Sequence, residues 1–269
     1  MVMPRLFVAT ALMILMAPPA FAKLEISNVE ACYGPFGPVR KVLEYHPYDT
    51  ICFRFTVKGA RADDEGKCDT EVTWRLMDGA GKDVVLQRTP AKLQPSFGTD
   101  SFPASLSLPV PDRIIPGEYT LKVTHKDNLS GEEASFERKL CLKDTEFAIV
   151  SLGFFHDAAF TSPAPAGGVV GEAMHFRLAV IGSDRSQGKV DLELTGQVFD
   201  KDGKPMLSKP ITIVVASADE RSVREARACG FYGGLDLTKP GEFTLRITVA
   251  DRIGKKTATF EAPLKVTAP

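Results

Sequence analysis

The chain has 269 residues, 33 Lys and Arg against 34 Asp and Glu, a net charge of -1, and five cysteines. Acids and bases are interspersed throughout, so the basic stripe that phosphate contacts demand is missing and nucleic acid is excluded as the expected partner. Residues 1–22 read as a signal peptide: Arg5 supplies the positive start, Leu6 to Met16 is apolar except for Thr10, and Ala20-Phe21-Ala22 is a small-x-small cleavage site. The run is too short for a mature membrane helix, which needs about 20 apolar residues. The alternative is an uncleaved anchor, suggested by the single positive charge before the run. With cleavage, no second apolar run remains to span a membrane, and a periplasmic or secreted protein beginning at Lys23 is expected.

Strands are expected at 24–31, 50–58, 71–77, 83–88, 104–109, 117–125 and 132–142, and again at 147–155, 173–181, 189–199, 205–207, 211–217, 231–237, 241–250 and 255–266. The signal is alternation of period two: Ile51, Phe53, Phe55 and Val57 share one face, as do Tyr119, Leu121 and Val123, or Phe243, Leu245 and Ile247. Pro-Gly at 116–117 and 240–241 starts the penultimate strand of each set. The stretch 218–227 is the nearest approach to a helical pattern and is read as a loop.

The two sets are one sequence written twice. Residues 116–142 and 240–266 share eleven identities in 27 positions, beginning "PGEYTLKVTHKD" and "PGEFTLRITVAD". Upstream, "ICFRFTVKG" (51–59) matches "MHFRLAVIG" (174–182), and "DGAGK" (78–82) matches "DKDGK" (200–204). A period this long duplicates a whole domain, not a solenoid unit. The expected fold class is therefore all-β, two tandem antiparallel β-sandwich domains, over 23–143 and 146–269.

The strands "PGEYTLKV" and "PGEFTLRI", with the closing strands "EASFERKLCL" and "TATFEAPLKV", resemble those of bacterial exported proteins built from tandem immunoglobulin-like sandwich domains. Trp74, alternating with Val72 and Leu76, is similar to the core Trp of an immunoglobulin third strand. The second half has no Trp, Phe243 replaces Tyr119, and the immunoglobulin cysteine pair is absent, so a tyrosine-corner hydrogen bond is not general to the two domains.

Chemistry is sparse. The four histidines (His46, His125, His156, His175) lack metal-site spacing, no Cys/His cluster suits zinc, and no nucleophile elbow or phosphate loop occurs. "DKDGK" and "DGAGK" read as hairpin turns and the acidic "DDEGKCD" (63–69) as a solvated loop. Neither a cofactor nor a metal is expected. Cys52 and Cys141 lie in strands of the first repeat whose counterparts carry His175 and Lys265, so a bridge between them is permitted by export and not required by the fold.

One stretch stands apart. "YGPFGPVRKVLEYHPYD" (33–49) gathers Tyr33, Phe36, Tyr45 and Tyr48 with Arg40 and His46, and its counterpart at 154–172 is also long and rich in Pro and Gly. As a contact surface it would expose the four rings, with Arg40 and His46 orienting a protein or glycan partner. The alternative is that the rings fold down to cover a sandwich end or fill the junction between domains. The expected function is non-catalytic: a structural or protein-binding role outside the cytoplasm. The rivals are a carbohydrate-binding or accessory module of an extracellular enzyme system, and a hydrolase or metalloprotein with a site assembled from scattered residues.

Overall fold

The computed structural model describes residues 23–94, 101–217 and 227–269, so the expected signal peptide and nearly all of the 218–227 stretch lie outside the described residues. Every regular element described is a strand. The first half holds β1 (Glu25–Ala31), β2 (Glu44–Tyr45), β3 (Thr50–Lys58), β4 (Cys68–Met77), β5 (Asp83–Leu93), β6 (Ser101–Pro109), β7 (Gly117–Asp127) and β8 (Glu133–Leu142). The second holds β9 (Ala148–Phe155), β10 (Gly167–Val169), β11 (Ala173–Ile181), β12 (Val190–Phe199), β13 (Ile211–Ser217), β14 (Ala228–Asp236), β15 (Gly241–Asp251) and β16 (Lys256–Thr267).

These strands form four sheets. In the first half β1-β3-β6 faces β2-β8-β7-β4-β5, and in the second β9-β11-β14 faces β10-β16-β15-β12-β13. The orders correspond strand for strand, so the duplication extends to topology. All pairings are antiparallel except β2 with β8 and β10 with β16. Those two short parallel strands let the chain leave the first sheet and join the edge of the second, giving an immunoglobulin-like pair of sandwiches. The strand expected at 205–207 is a single bridge from Phe199 to Pro205 instead. The turns at 78–82 and 200–204 take up the acids: Asp200 Oδ1 accepts from the amides of Asp202 and Lys204 (3.0 and 2.8 Å), and Asp78 Oδ1 from those of Ala80 and Lys82 (3.0 and 2.9 Å).

Alternation puts one face of each sheet inside. Phe53, Phe55, Trp74, Leu121, Val123 and Phe136 fill the first core, with Phe136 ring centroids 6.0 Å from Phe53 and 5.5 Å from Phe55. Tyr119 donates its hydroxyl to the Ile115 carbonyl at 2.7 Å, a tyrosine corner that Phe243 cannot make. The second core is built from Phe176, Leu178, Leu192, Leu194, Phe231 and Ile247. Phe243 and Phe260 are only partly buried against it. At two pairs of corresponding positions the large ring changes sheets between the domains. The ladder Trp74↔Val123 corresponds to Gly196↔Ile247, and Phe55↔Ala104 corresponds to Leu178↔Phe231. The first domain therefore carries Trp74 and Ala104 at the positions where the second carries Gly196 and Phe231. Cores packed to crystal-like density tolerate such exchanges only when volume is conserved across the interface.

A buried aspartate closes the last hairpin of each domain. Asp127 accepts from the Arg61 amide (2.8 Å), the Leu129 amide (2.9 Å) and the Ser130 hydroxyl (2.7 Å). Asp251 accepts from the amides of Asp184 (2.7 Å), Ile253 (3.1 Å) and Gly254 (2.9 Å). Each thus ties its hairpin to the loop after the third or eleventh strand. At the same level, His125 occupies the core position that Val249 fills in the second domain. His125 is 1% exposed, and neither ring nitrogen has a hydrogen-bond partner among the described residues. Burial depresses its pKa below the ordinary 6.5, opposed by Asp127, so the imidazole is held towards its neutral form.

Candidate functional site

The 33–49 loop turns inward. It opens with a tight reversal in which the Tyr33 amide donates to the Pro38 carbonyl (3.0 Å) and the Gly37 amide to the Gly34 carbonyl (3.2 Å). Gly37 is needed there because a Cβ would lie 1.7 Å from the Tyr33 carbonyl oxygen. The reversal aims Arg40 into the protein, where Nη2 meets Asp49 Oδ2 at 2.7 Å and Nε donates to the Val42 carbonyl at 3.3 Å. The guanidinium lies 3.9 Å from the Tyr45 ring centroid and 4.9 Å from that of Tyr33. Burial alone would lower the Arg40 pKa, but the Asp49 carboxylate overrides it and holds the charge. A buried guanidinium needs an anion, hydrogen-bond acceptors and π faces, and the loop supplies all three.

The same loop grips the second domain. Tyr33 sits edge-on to Phe260 with centroids 4.9 Å apart. The Ser151 amide donates to Asp49 Oδ1 at 3.2 Å, and the Ser151 hydroxyl donates to the Tyr48 carbonyl. Ser151 offers both groups because β9 bulges there, with φ of 52°, as β1 bulges at Asn28 with φ of 53°. His46 Nδ1 lies 3.1 Å from the Asp144 carbonyl oxygen, and its Nε2 lies 3.7 Å from Glu146. The expectation of four exposed rings is therefore corrected. Tyr45 is 0% exposed, Tyr33 and Tyr48 are half-buried, and only Phe36 stands out at 58%. Apolar area in this loop gains more by covering the Arg40–Asp49 pair and the junction than by facing water.

Besides Phe36, the exposed large aromatic side chain among the described residues is Tyr232, on the outer face of β9, β11 and β14. Tyr232 is 57% exposed, and its ring is 5.2 Å from Phe160 at an interplanar angle of 39°. Phe160 meets Phe155 at 5.4 Å and 88°, and His175 at 6.5 Å and 90°. Arg177 covers Phe155 at 5.0 Å. Flanking glycines give these rings room: a Cβ on Gly230 would lie 3.2 Å from the Tyr232 hydroxyl, and one on Gly234 would lie 3.2 Å from His175 Nδ1. A groove of about 240 Å³ runs from Phe155 and Arg177 to Pro35 and Phe36 of the first domain. A neighbouring depression of about 420 Å³ continues from Phe36 past Arg54 and Pro103. Phe36 is thus the exposed member of the expected set on this surface, with half-buried Tyr33 beside it in the groove. Sequence reasoning passed over Phe160 and Tyr232, although Tyr232 inside "CGFYGG" alternates with buried Phe231 and so had to point outward.

The arrangement offers apolar rings, one cation and one imidazole on a rigid sheet. Among the described residues, no group of three or more His, Cys, Asp or Glu is placed to hold a metal ion, and no helix is long and apolar enough to cross a membrane.

No protein-family model and no curated protein matches the chain. Among solved structures it is similar to the C-terminal domain of the Streptococcus agalactiae AgI/II polypeptide BspA, at 11% identity and TM-score 0.30, covering 90% of this chain and 99% of that one. It is similar to dimeric latent PorU from Porphyromonas gingivalis at 16% identity and TM-score 0.39, covering 93% of this chain and 21% of that one. The corresponding values for red sea bream transglutaminase are 10%, 0.27, 91% and 31%. The chain thus spans under a third of the last two proteins, and no residue role is transferred from any of the three.

Proposed function

We propose that this chain is a non-catalytic, extracytoplasmic two-domain protein that acts by protein contact through the aromatic face of its second domain, extended by Phe36. The observation that carries the reading is the continuity of exposed Phe36 and Tyr232 with half-buried Phe160, linked through Phe155 buried beneath Arg177, across a junction that the 33–49 loop holds in place. Aromatic and Arg side chains concentrate binding energy at protein interfaces. The leader-like residues 1–22 support action outside the cytoplasm.

A sugar-binding platform fits this geometry less well. Stacking on a pyranose ring favours coplanar rings in a row, whereas Phe155, Phe160 and His175 meet edge to face. The test is a photo-crosslinking residue at position 232, with one at exposed Lys126 as control, in the exporting cell. A discrete adduct from position 232 alone, lost with Phe160→Ala, supports the reading. No adduct, or saturable retention on a glycan array that survives Tyr232→Ala and Phe36→Ala, overturns it.

A further inference from the structure

Cys32 and Cys52 are the one pair of cysteines that the fold brings together. The antiparallel ladder Glu30↔Arg54, Ala31↔Phe53 runs on to these two residues, and the Cys32 amide donates to the Cys52 carbonyl at 3.0 Å. Their Sγ atoms are 3.4 Å apart, and both side chains are sealed from solvent. Directly opposed residues on an antiparallel ladder have Cα atoms about 4.5–5.5 Å apart. That separation lies inside the range of about 4.4–6.8 Å that a disulfide spans without backbone movement.

The other thiols have no such neighbour. Cys68 Sγ contacts the Ala60 carbonyl and Cys141 Sγ the Leu142 carbonyl, while Cys229 belongs to the second domain. Cys52 and Cys141 alternate with the core residues Ile51, Phe53 and Leu140, Leu142, so on their facing sheets they point away from each other, and the bridge that the repeat left open is not the one this fold favours.

We propose that Cys32 and Cys52 are oxidised to a disulfide that closes the chain around the 33–49 loop. Its occurrence in the cell rests on the reading of the chain as exported, since disulfides persist in oxidising compartments. The oxidant is another disulfide, either of low molecular weight or of a thiol–disulfide oxidoreductase. One cysteine thiolate attacks it, forming a mixed disulfide and releasing one external thiolate. The second cysteine, losing its proton, then displaces the other external sulfur. The balance is two protein thiols and one external disulfide giving one protein disulfide and two external thiols. Exchange has to occur before β1 (Glu25–Ala31) docks on β3 (Thr50–Lys58), because the folded domain hides both sulfurs.

This bond would pin both ends of the segment that carries the Arg40–Asp49 pair and grips the second domain. The bond itself can be tested apart from export. Mature chain is refolded in a glutathione redox buffer, and thiols are titrated in denaturant. The expected count falls from five to three. Trypsin without reductant should link the segments 24–40 and 42–54 through Cys32 and Cys52. Cys141→Ser should still lose two thiols on oxidation, whereas Cys52→Ser should lose none. Should Cys52→Ser fail to refold, Cys32→Ala serves the same purpose. Five thiols after refolding, or a link from Cys52 to the 140–143 segment, would overturn the proposal. A bond that forms in the tube but is missing from protein isolated from its own compartment would uphold the pairing and overturn the export reading.

Discussion

Replacing Asp127 with Ala tests the claim that a buried carboxylate fastens the closing hairpin of the first domain. The side chain is fully buried and accepts from the Arg61 amide, the Leu129 amide and the Ser130 hydroxyl, all within 2.9 Å. Hydrogen bonds to a charged group are worth about 1.5–3 kcal/mol each, and stranding main-chain donors removes most of that value. Because the bonds share one carboxylate, they do not add fully, and a loss of about 3–5 kcal/mol is expected. With a urea dependence of about 1–3 kcal/mol/M, the unfolding midpoint should fall by roughly 2 M.

Trp74 makes the assay domain-specific. It is the sole tryptophan and lies in the first core, so its emission follows that domain, while far-ultraviolet circular dichroism follows both. Asp251→Ala should shift the dichroism transition of the second domain and leave the Trp74 transition nearly in place. The pH dependence has a definite sign. Burial raises the Asp127 pKa, but the hydrogen bonds from Arg61, Ser130 and Leu129 outweigh it and leave the pKa below the ordinary 3.8. The unfolded chain therefore takes up this proton first. The contribution is complete above the ordinary carboxylate range and is lost as pH falls below it. Asp127→Ala should lose part of that acid slope. A shift in the Trp74 midpoint worth less than about 1 kcal/mol would refute the reasoning, because no buried charge-assisted network is that cheap to remove.

Arg40→Met should cost about 3–5 kcal/mol, because it leaves Asp49 buried without its cation, whereas Tyr45→Phe should stay within about 0.5 kcal/mol, since the Tyr45 hydroxyl has no hydrogen-bond partner among the described residues; urea titration of each variant checks the contrast. His125→Val installs the residue of the second domain and should raise the Trp74 midpoint. The wild-type imidazole, held below 6.5, makes the fold lose stability as pH drops through that value, and His125→Val should flatten the profile there. Phe53→Ala should cost about 3–5 kcal/mol and the outward Lys122→Ala no more than about 0.5 kcal/mol; equal losses would mean the β3 and β7 registers differ from those described.

The long strands were legible because alternation is a local property: Phe53 and Phe55, or Leu245 and Ile247, announce their face within one strand. The two-residue β2 was not, since Glu44 and Tyr45 carry no period and are placed by parallel pairing with Cys141 and Leu142, almost a hundred positions away. The same limit governs the site. Composition marked the 33–49 loop as unusual, yet nothing local says that Arg40 will find Asp49 and draw Tyr33 and Tyr45 over itself. Tyr232 was readable in principle from its alternation with Phe231. Phe160 was not, because its place beside Tyr232 depends on how the loop after β9 folds back.

The exchange of Trp74 and Ala104 for Gly196 and Phe231 has a historical side. Two copies that began alike now each carry a large ring at a site where the other carries a small residue. A change such as Gly196→Trp, which would merely copy the first domain's residue into its twin, would add an indole at a position packed against Ile211, in a core that already holds Phe231. Each half has become the context that decides which of the other's residues it can still receive. The duplication therefore yielded two structures of one plan whose parts can no longer be interchanged.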